Sequence, residues 1–202
     1  MDKSKWIALM VRIGLDTNIN TYNKLESNYN QKHRHYHNVR HIDAVLEYLD
    51  QTKNLANDYN ALEIALWFHD VIYKVFSSTN ELDSANWASE FLEYHGISKD
   101  FSSKVHSLIM ATLHNAVPLD NDEKLIVDID LSILGSSAKT YQLFELWIRK
   151  EYKLVPGFIY KKKRKEILSH FLDRERIYSH DYFYEKLETT ARSNMINAVR
   201  NL

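Results

Sequence analysis

The stretch Leu66-Trp67-Phe68-His69-Asp70-Val71-Ile72-Tyr73 constrains this chain more than any other. It is apolar throughout except for one imidazole and one carboxylate set side by side. An apolar run of this kind belongs in a core. A carboxylate carried into a core is costly unless a cation or several donors compensate it. A divalent metal would compensate Asp70 and would also take His69 as a ligand. The rest of the chain can then be searched for further ligands.

The surrounding sequence favours helices. Only four Gly and two Pro occur in 202 residues, so hairpin turns are scarce. Residues 4–28 form a helical pattern with a polar stretch at Asp16 to Asn20 where it bends or breaks. Residues 29–37 form a polar loop. Residues 38–52 carry the stripe Ile42, Val45, Leu46 and Leu49. Asp58 is placed to cap the helix that bears Leu62, Ala65, Leu66 and His69 on one face. Ser78 and Glu81 have capping-box spacing for a helix that stops at Gly96. Ser98 or Asp100 opens the next, through about His114. Further helical patterns cover 123–134 (ended by Gly135), 137–153, 158–178 and 181–201, with Pro156-Gly157 as a break. The predicted architecture is all-α: one domain over 1–202, a bundle of eight to ten helices.

Composition excludes several function classes. A net charge of −1 provides no global attraction to nucleic acid or anionic membrane. The basic run Tyr160-Lys161-Lys162-Lys163-Arg164-Lys165 reads as a solvated helix face with Ile159, Ile167 and Leu168 inward, so a nucleic-acid partner is not expected. The chain has no Cys, which rules out disulfides and thiolate metal sites and fits a reducing compartment. Lys3 and Lys5 before Trp6 to Val11 faintly resemble a leader, but Arg12 interrupts the short apolar run and no small-residue cleavage site follows. No stretch reaches the ~18 apolar residues a spanning helix needs. The expected protein makes no membrane contact and is cytoplasmic.

Four of the ten histidines fall within nine residues: His33, His35, His37 and His41. His41 lies beside the apolar stripe of its helix and can point into the bundle. In Val127-Asp128-Ile129-Asp130-Leu131, helical spacing puts Asp130 with Ile126, Val127, Ile133 and Leu134, hence inward. Asp128 falls with Lys124 and Ser132, hence toward solvent or the rim. Two inward imidazoles and two inward carboxylates can satisfy one divalent ion and leave positions for water.

His41, then His69-Asp70, then Asp130, on successive helices, resembles the HD-domain superfamily of metal-dependent phosphohydrolases. The likeness extends to Arg34-His35-Tyr36-His37-Asn38-Val39-Arg40-His41-Ile42, Phe68 to Tyr73, Asn80-Glu81-Leu82-Asp83-Ser84-Ala85 and Asp128 to Gly135. Ile148 to Tyr152 and Leu187-Glu188 through Ala191-Arg192-Ser193-Asn194 also look like one branch of that superfamily, whose members are about as long as this chain. The similarity covers most of the sequence.

The resemblance implies an HD-type fold with His41, His69, Asp70 and Asp130 ligating the metal. The last family Asp can be aligned to Asp128 instead; Asp130 is preferred because it precedes Leu131 and because the face argument agrees. A second ion would need further histidines such as His106 and His114, and one ion is expected, its identity among Mn, Fe, Zn, Ni, Co and Mg being open. The implied activity is hydrolysis of a phosphate ester or anhydride in a nucleotide or other small phosphorylated metabolite. Asp70 is placed to orient water, Glu81 to assist the water or leaving group, and His114 to donate a proton or bind phosphate. Arg34 and Lys74 are the nearest candidate cationic clamps and Arg149 and Arg164 more distant ones, and Tyr36 can stack on a base or pack in the core. The alternative is a non-catalytic regulator that holds metal and nucleotide without turnover.

Overall fold

The apolar run around Trp67 is buried in the structure, a computed structural model covering residues 1–202. All residues from Ala61 to Phe68 are buried. The architecture is all-α, with ten α-helices and no strand, as the spacing predicts. Two compact units, 1–127 and 128–202, divide the chain.

The first unit contains α1 (Lys3–Arg12), α2 (Ile19–Tyr29), α3 (Val39–Gln51), α4 (Tyr59–Phe68), α5 (Asn80–Tyr94), α6 (Lys99–Ala111) and most of α7 (Asn121–Asp130). The helical pattern over 4–28 is broken in two: Gly14 takes φ 77° after α1, and α2 begins only at Ile19. α4 packs against α1, α3, α5 and α6. From Ala61 to Phe68 no face of it is open to water, so all but one of these residues are apolar; the exception, Glu63, is paired with Arg12. Trp6 and Trp67 meet edge to face at 5.4 Å between centroids. The Tyr29 hydroxyl donates to the Trp67 carbonyl at 3.0 Å, so this buried phenol is satisfied. Burying side chains such as Trp67 and Phe68 contributes about 2–3 kcal/mol each.

Asp58 caps α4 by accepting from the Ala61 N–H at 3.0 Å. The Asp122 carboxylate receives the N–H groups of Asn57 and Asp58 at 2.8 and 3.0 Å, and the Lys104 ammonium at 2.9 Å. α5 departs from the capping-box expectation: it starts at Asn80 with Thr79 as N-cap, so Ser78 does not cap it. Asn80 instead fixes the preceding loop, accepting from the Lys74 N–H and donating to the Lys74 carbonyl. Gly96 ends the segment in the left-handed region, φ 78°, as a C-terminal glycine should.

The second unit contains the end of α7, a short 3-10 segment (Leu131–Gly135), α8 (Ala138–Glu151), α9 (Gly157–Leu172) and α10 (Asp181–Asn201). α10 packs on the 3-10 segment, α8 and α9. Gly135 is required there, since a Cβ would lie 2.5 Å from the Leu187 Cβ. The expected helix over 158–178 stops at Leu172. Residues 173–180 form a turn held by Glu188, which accepts the Ile177 and Tyr178 N–H groups. On α9, Leu168 is buried but Ile159 and Ile167 are 41% and 47% exposed, so the inward stripe read from the sequence is narrower than expected.

Asp128 corrects the face argument. It is fully buried, not at the rim. Its carboxylate accepts the Ser179 and His180 N–H groups at 2.8 and 2.7 Å and the His180 ring at 2.9 Å. These donors sit just before α10, and they supply the compensation a buried carboxylate needs. The solvent face inferred from Lys124 and Ser132 is covered here by the turn before α10, a segment about fifty residues away.

Candidate metal centre

α4 ends at Phe68, and His69 closes its last turn by donating its backbone N–H to the Ala65 carbonyl at 2.8 Å. Asp70 follows in a tight turn in which the Val71 N–H bonds to the Phe68 carbonyl. The His-Asp pair therefore sits at the C-terminal edge of the buried helix rather than along it. His41 arrives from α3, whose first turn is set by the Asn38 side chain accepting the Arg40 N–H. His41 and His69 are 5% and 1% exposed.

The two imidazoles meet at their Nε2 atoms, 3.0 Å apart. An Asp70 carboxylate oxygen lies 3.2 Å from His69 Nε2 and 3.5 Å from His41 Nε2. The other His69 nitrogen, Nδ1, is 2.9 Å from the Leu66 carbonyl. A carbonyl only accepts, so Nδ1 carries the proton and Nε2 is left with its lone pair. Pinning a histidine through its second nitrogen is how proteins prepare imidazole ligands. Three donor atoms thus converge with the chemistry a divalent ion takes, and His41 and His69 belong to a group of residues able to hold a metal ion. Burial pushes the Asp70 carboxyl up; when the rings are protonated at both nitrogens, the charges of His69 and His37, with hydrogen bonds from His41 and His69, hold it well below the usual carboxylate range.

The His loop is tied to this turn by Arg34, which is 5% exposed. Its guanidinium donates to the carbonyls of Asp70 at 2.6 Å, Val71 at 2.8 Å and His37 at 3.1 Å. It also lies over the Tyr29 and Tyr73 rings. The geometry gives Arg34 a positioning role that the sequence did not suggest; the only hint was an arginine beside the histidines with no acidic neighbour. His37 stacks on Tyr73 at 4.2 Å, and Tyr36 sits 4.8 Å from the His41 ring. His33 is exposed, its Nε2 3.1 Å from the Tyr73 carbonyl, and His35 is half-buried.

The remaining candidates are placed as follows. Lys74 is exposed, just past the turn. Glu81 is half-buried in the first turn of α5. His106 is half-buried on α6, and His114 lies beyond its end with a left-handed backbone, φ 57°. In the second unit, Asp130 is half-buried as the last residue of α7. Arg149 there donates to the Tyr152 and Val155 carbonyls at 2.6 and 3.1 Å and lies over the Tyr160 ring. Arg164 forms a two-point pair with Glu145 at 3.1 and 2.6 Å. Tyr160, beside the basic run, is buried. No helix is long and apolar enough to cross a membrane. No protein-family profile, curated protein or solved structure matches the chain.

Proposed function

We propose that the protein is a metal-dependent phosphohydrolase acting on a nucleotide or another small phosphorylated metabolite. The observation that carries this reading is the convergence of His41 Nε2, His69 Nε2 and an Asp70 oxygen within 3.5 Å of one another. His41, His69 and Asp70 would hold one divalent ion. Such an ion, when bound, lowers the pKa of a coordinated water and polarises a phosphoryl oxygen.

The chain's own residues divide the remaining work. Arg34 fixes the backbone of Asp70 and Val71, so the carboxylate is held before substrate arrives. Asp70 orients the water and Glu81 assists it or the leaving group. His114 holds or delivers a proton. The exposed Lys74 binds phosphate, and Tyr36 offers its ring to a base. Phosphate release from a panel of nucleotides with added Mn, Fe, Zn, Ni, Co or Mg tests the reading. Release that disappears in His69→Ala and Asp70→Ala supports it. No release from any member with any metal, in a protein that binds the metal, would favour a regulator that holds metal without turnover.

A further inference from the structure

We propose that the second unit carries a separate binding site for a small amphiphilic anion, an apolar body ending in one carboxylate or phosphate head. The site is a cavity of about 500 Å³ between α8, α9 and α10. That is the size range of small-molecule pockets. Nothing in this proposal rests on the metal centre.

The walls are apolar. Tyr141, Leu146, Tyr160 and Ala198 line the cavity. Tyr141 and Tyr160 are only 3% and 8% exposed, and neither hydroxyl has a hydrogen-bond partner. Glu145 and Arg164 lie beside the Tyr141 hydroxyl without reaching hydrogen-bond geometry. Both hydroxyl oxygens are themselves inaccessible, so the rings and not the hydroxyls face the cavity.

The rim carries its cations on α8 and α9, and the C-terminal end of α10 closes the remaining side. Glu145 faces the cavity, but Arg164 neutralises it. Lys161 is exposed and Arg149 half-buried, and neither has a carboxylate partner; Arg149 spends its donors on two backbone carbonyls. Gly157, the first residue of α9, also lines the opening, and no side chain caps that helix. An uncapped helix start presents free N–H groups and a partial positive charge. Lys161, with no partner, Arg149, with no carboxylate partner, and a helix N-terminus thus stand on one part of the mouth of an apolar hole. That combination selects a molecule whose apolar part enters and whose anionic head stays at the rim.

The test is calorimetric titration of the whole protein with decanoate, decyl phosphate and decanol, each below its micelle or solubility limit. One anion bound per chain, with decanol weaker by roughly tenfold or more, is expected. The tighter of the two anions identifies the head group. Lys161→Glu should weaken that anion roughly tenfold while leaving Tm unchanged. Ala198→Trp, which fills the cavity, should abolish binding. No heat with either anion, equal affinity for decanol, or binding untouched by both variants would overturn the proposal.

Discussion

His41 and His69 bring their Nε2 atoms to 3.0 Å from one another although twenty-eight residues separate them in the chain. Two neutral imidazoles do not gain from this approach unless one keeps a proton between them or a cation takes both lone pairs. The Leu66 carbonyl has already claimed the Nδ1 proton of His69. Two arrangements remain: a proton on His41 Nε2 donated to the His69 lone pair, or a cation bound by both nitrogens.

The first prediction concerns that cation. Elemental analysis of purified protein should find about one transition-metal ion per chain, and chelation should lower Tm, because an ion that binds only the folded state stabilises it. His69→Ala and Asp70→Ala should each lose the ion. Protein that takes up none from Mn, Fe, Zn or Ni in excess would sink the hydrolase reading and leave His69 and Asp70 as a buried hydrogen-bonded pair.

Arg34 should matter for stability as well as for the site. Arg34→Ala removes donors from the carbonyls of Asp70, Val71 and His37 and strips a cation from two tyrosine rings. A loss of about 3 kcal/mol is expected in urea unfolding, together with weaker metal retention. Arg34→Lys should recover little of it, since an ammonium cannot span the three carbonyls.

Asp128 should behave as a structural residue. Asp128→Ala leaves the N–H groups of Ser179 and His180 without their buried acceptor, and should cost about 2–3 kcal/mol. If the variant unfolds at the wild-type urea midpoint, the turn before α10 is held by other contacts.

Glu63 supplies a pH dependence. Burial pushes its carboxyl up to about 6 from an ordinary 4.5, even with Arg12 as its ion-pair partner. The folded protein therefore holds a proton that the unfolded chain releases between these values. Stability should fall as pH rises from about 4.5 to about 6, by about 2 kcal/mol in total from this group. Glu63→Gln should remove that slope in urea titrations at several pH values. A slope that survives the substitution belongs to another carboxylate.

The sequence by itself determined the helices, the central helix and part of the site. Apolar spacing placed α3 and α10 to within a residue or so, and Asp58 and Ser98 were recognisable as caps because capping is a local matter of side chain and nearby N–H. The apolar run from Leu66 to Tyr73 belonged in a core, and that put His69 and Asp70 inside it; that Glu63 is buried with its neighbours from Ala61 to Phe68 was not legible. Tertiary structure decided what periodicity cannot. The faces around Asp128 suggested solvent, yet the turn before α10 covers it and pairs its charge; a helical wheel knows the angle of a side chain but not what arrives from fifty residues away. Arg34 read as a cation for phosphate, whereas its partners are backbone carbonyls, and carbonyls carry no mark in a sequence. The meeting of His41 with His69 has the same origin: each is legible as an inward imidazole, but their separation is set by how α3 packs on α4.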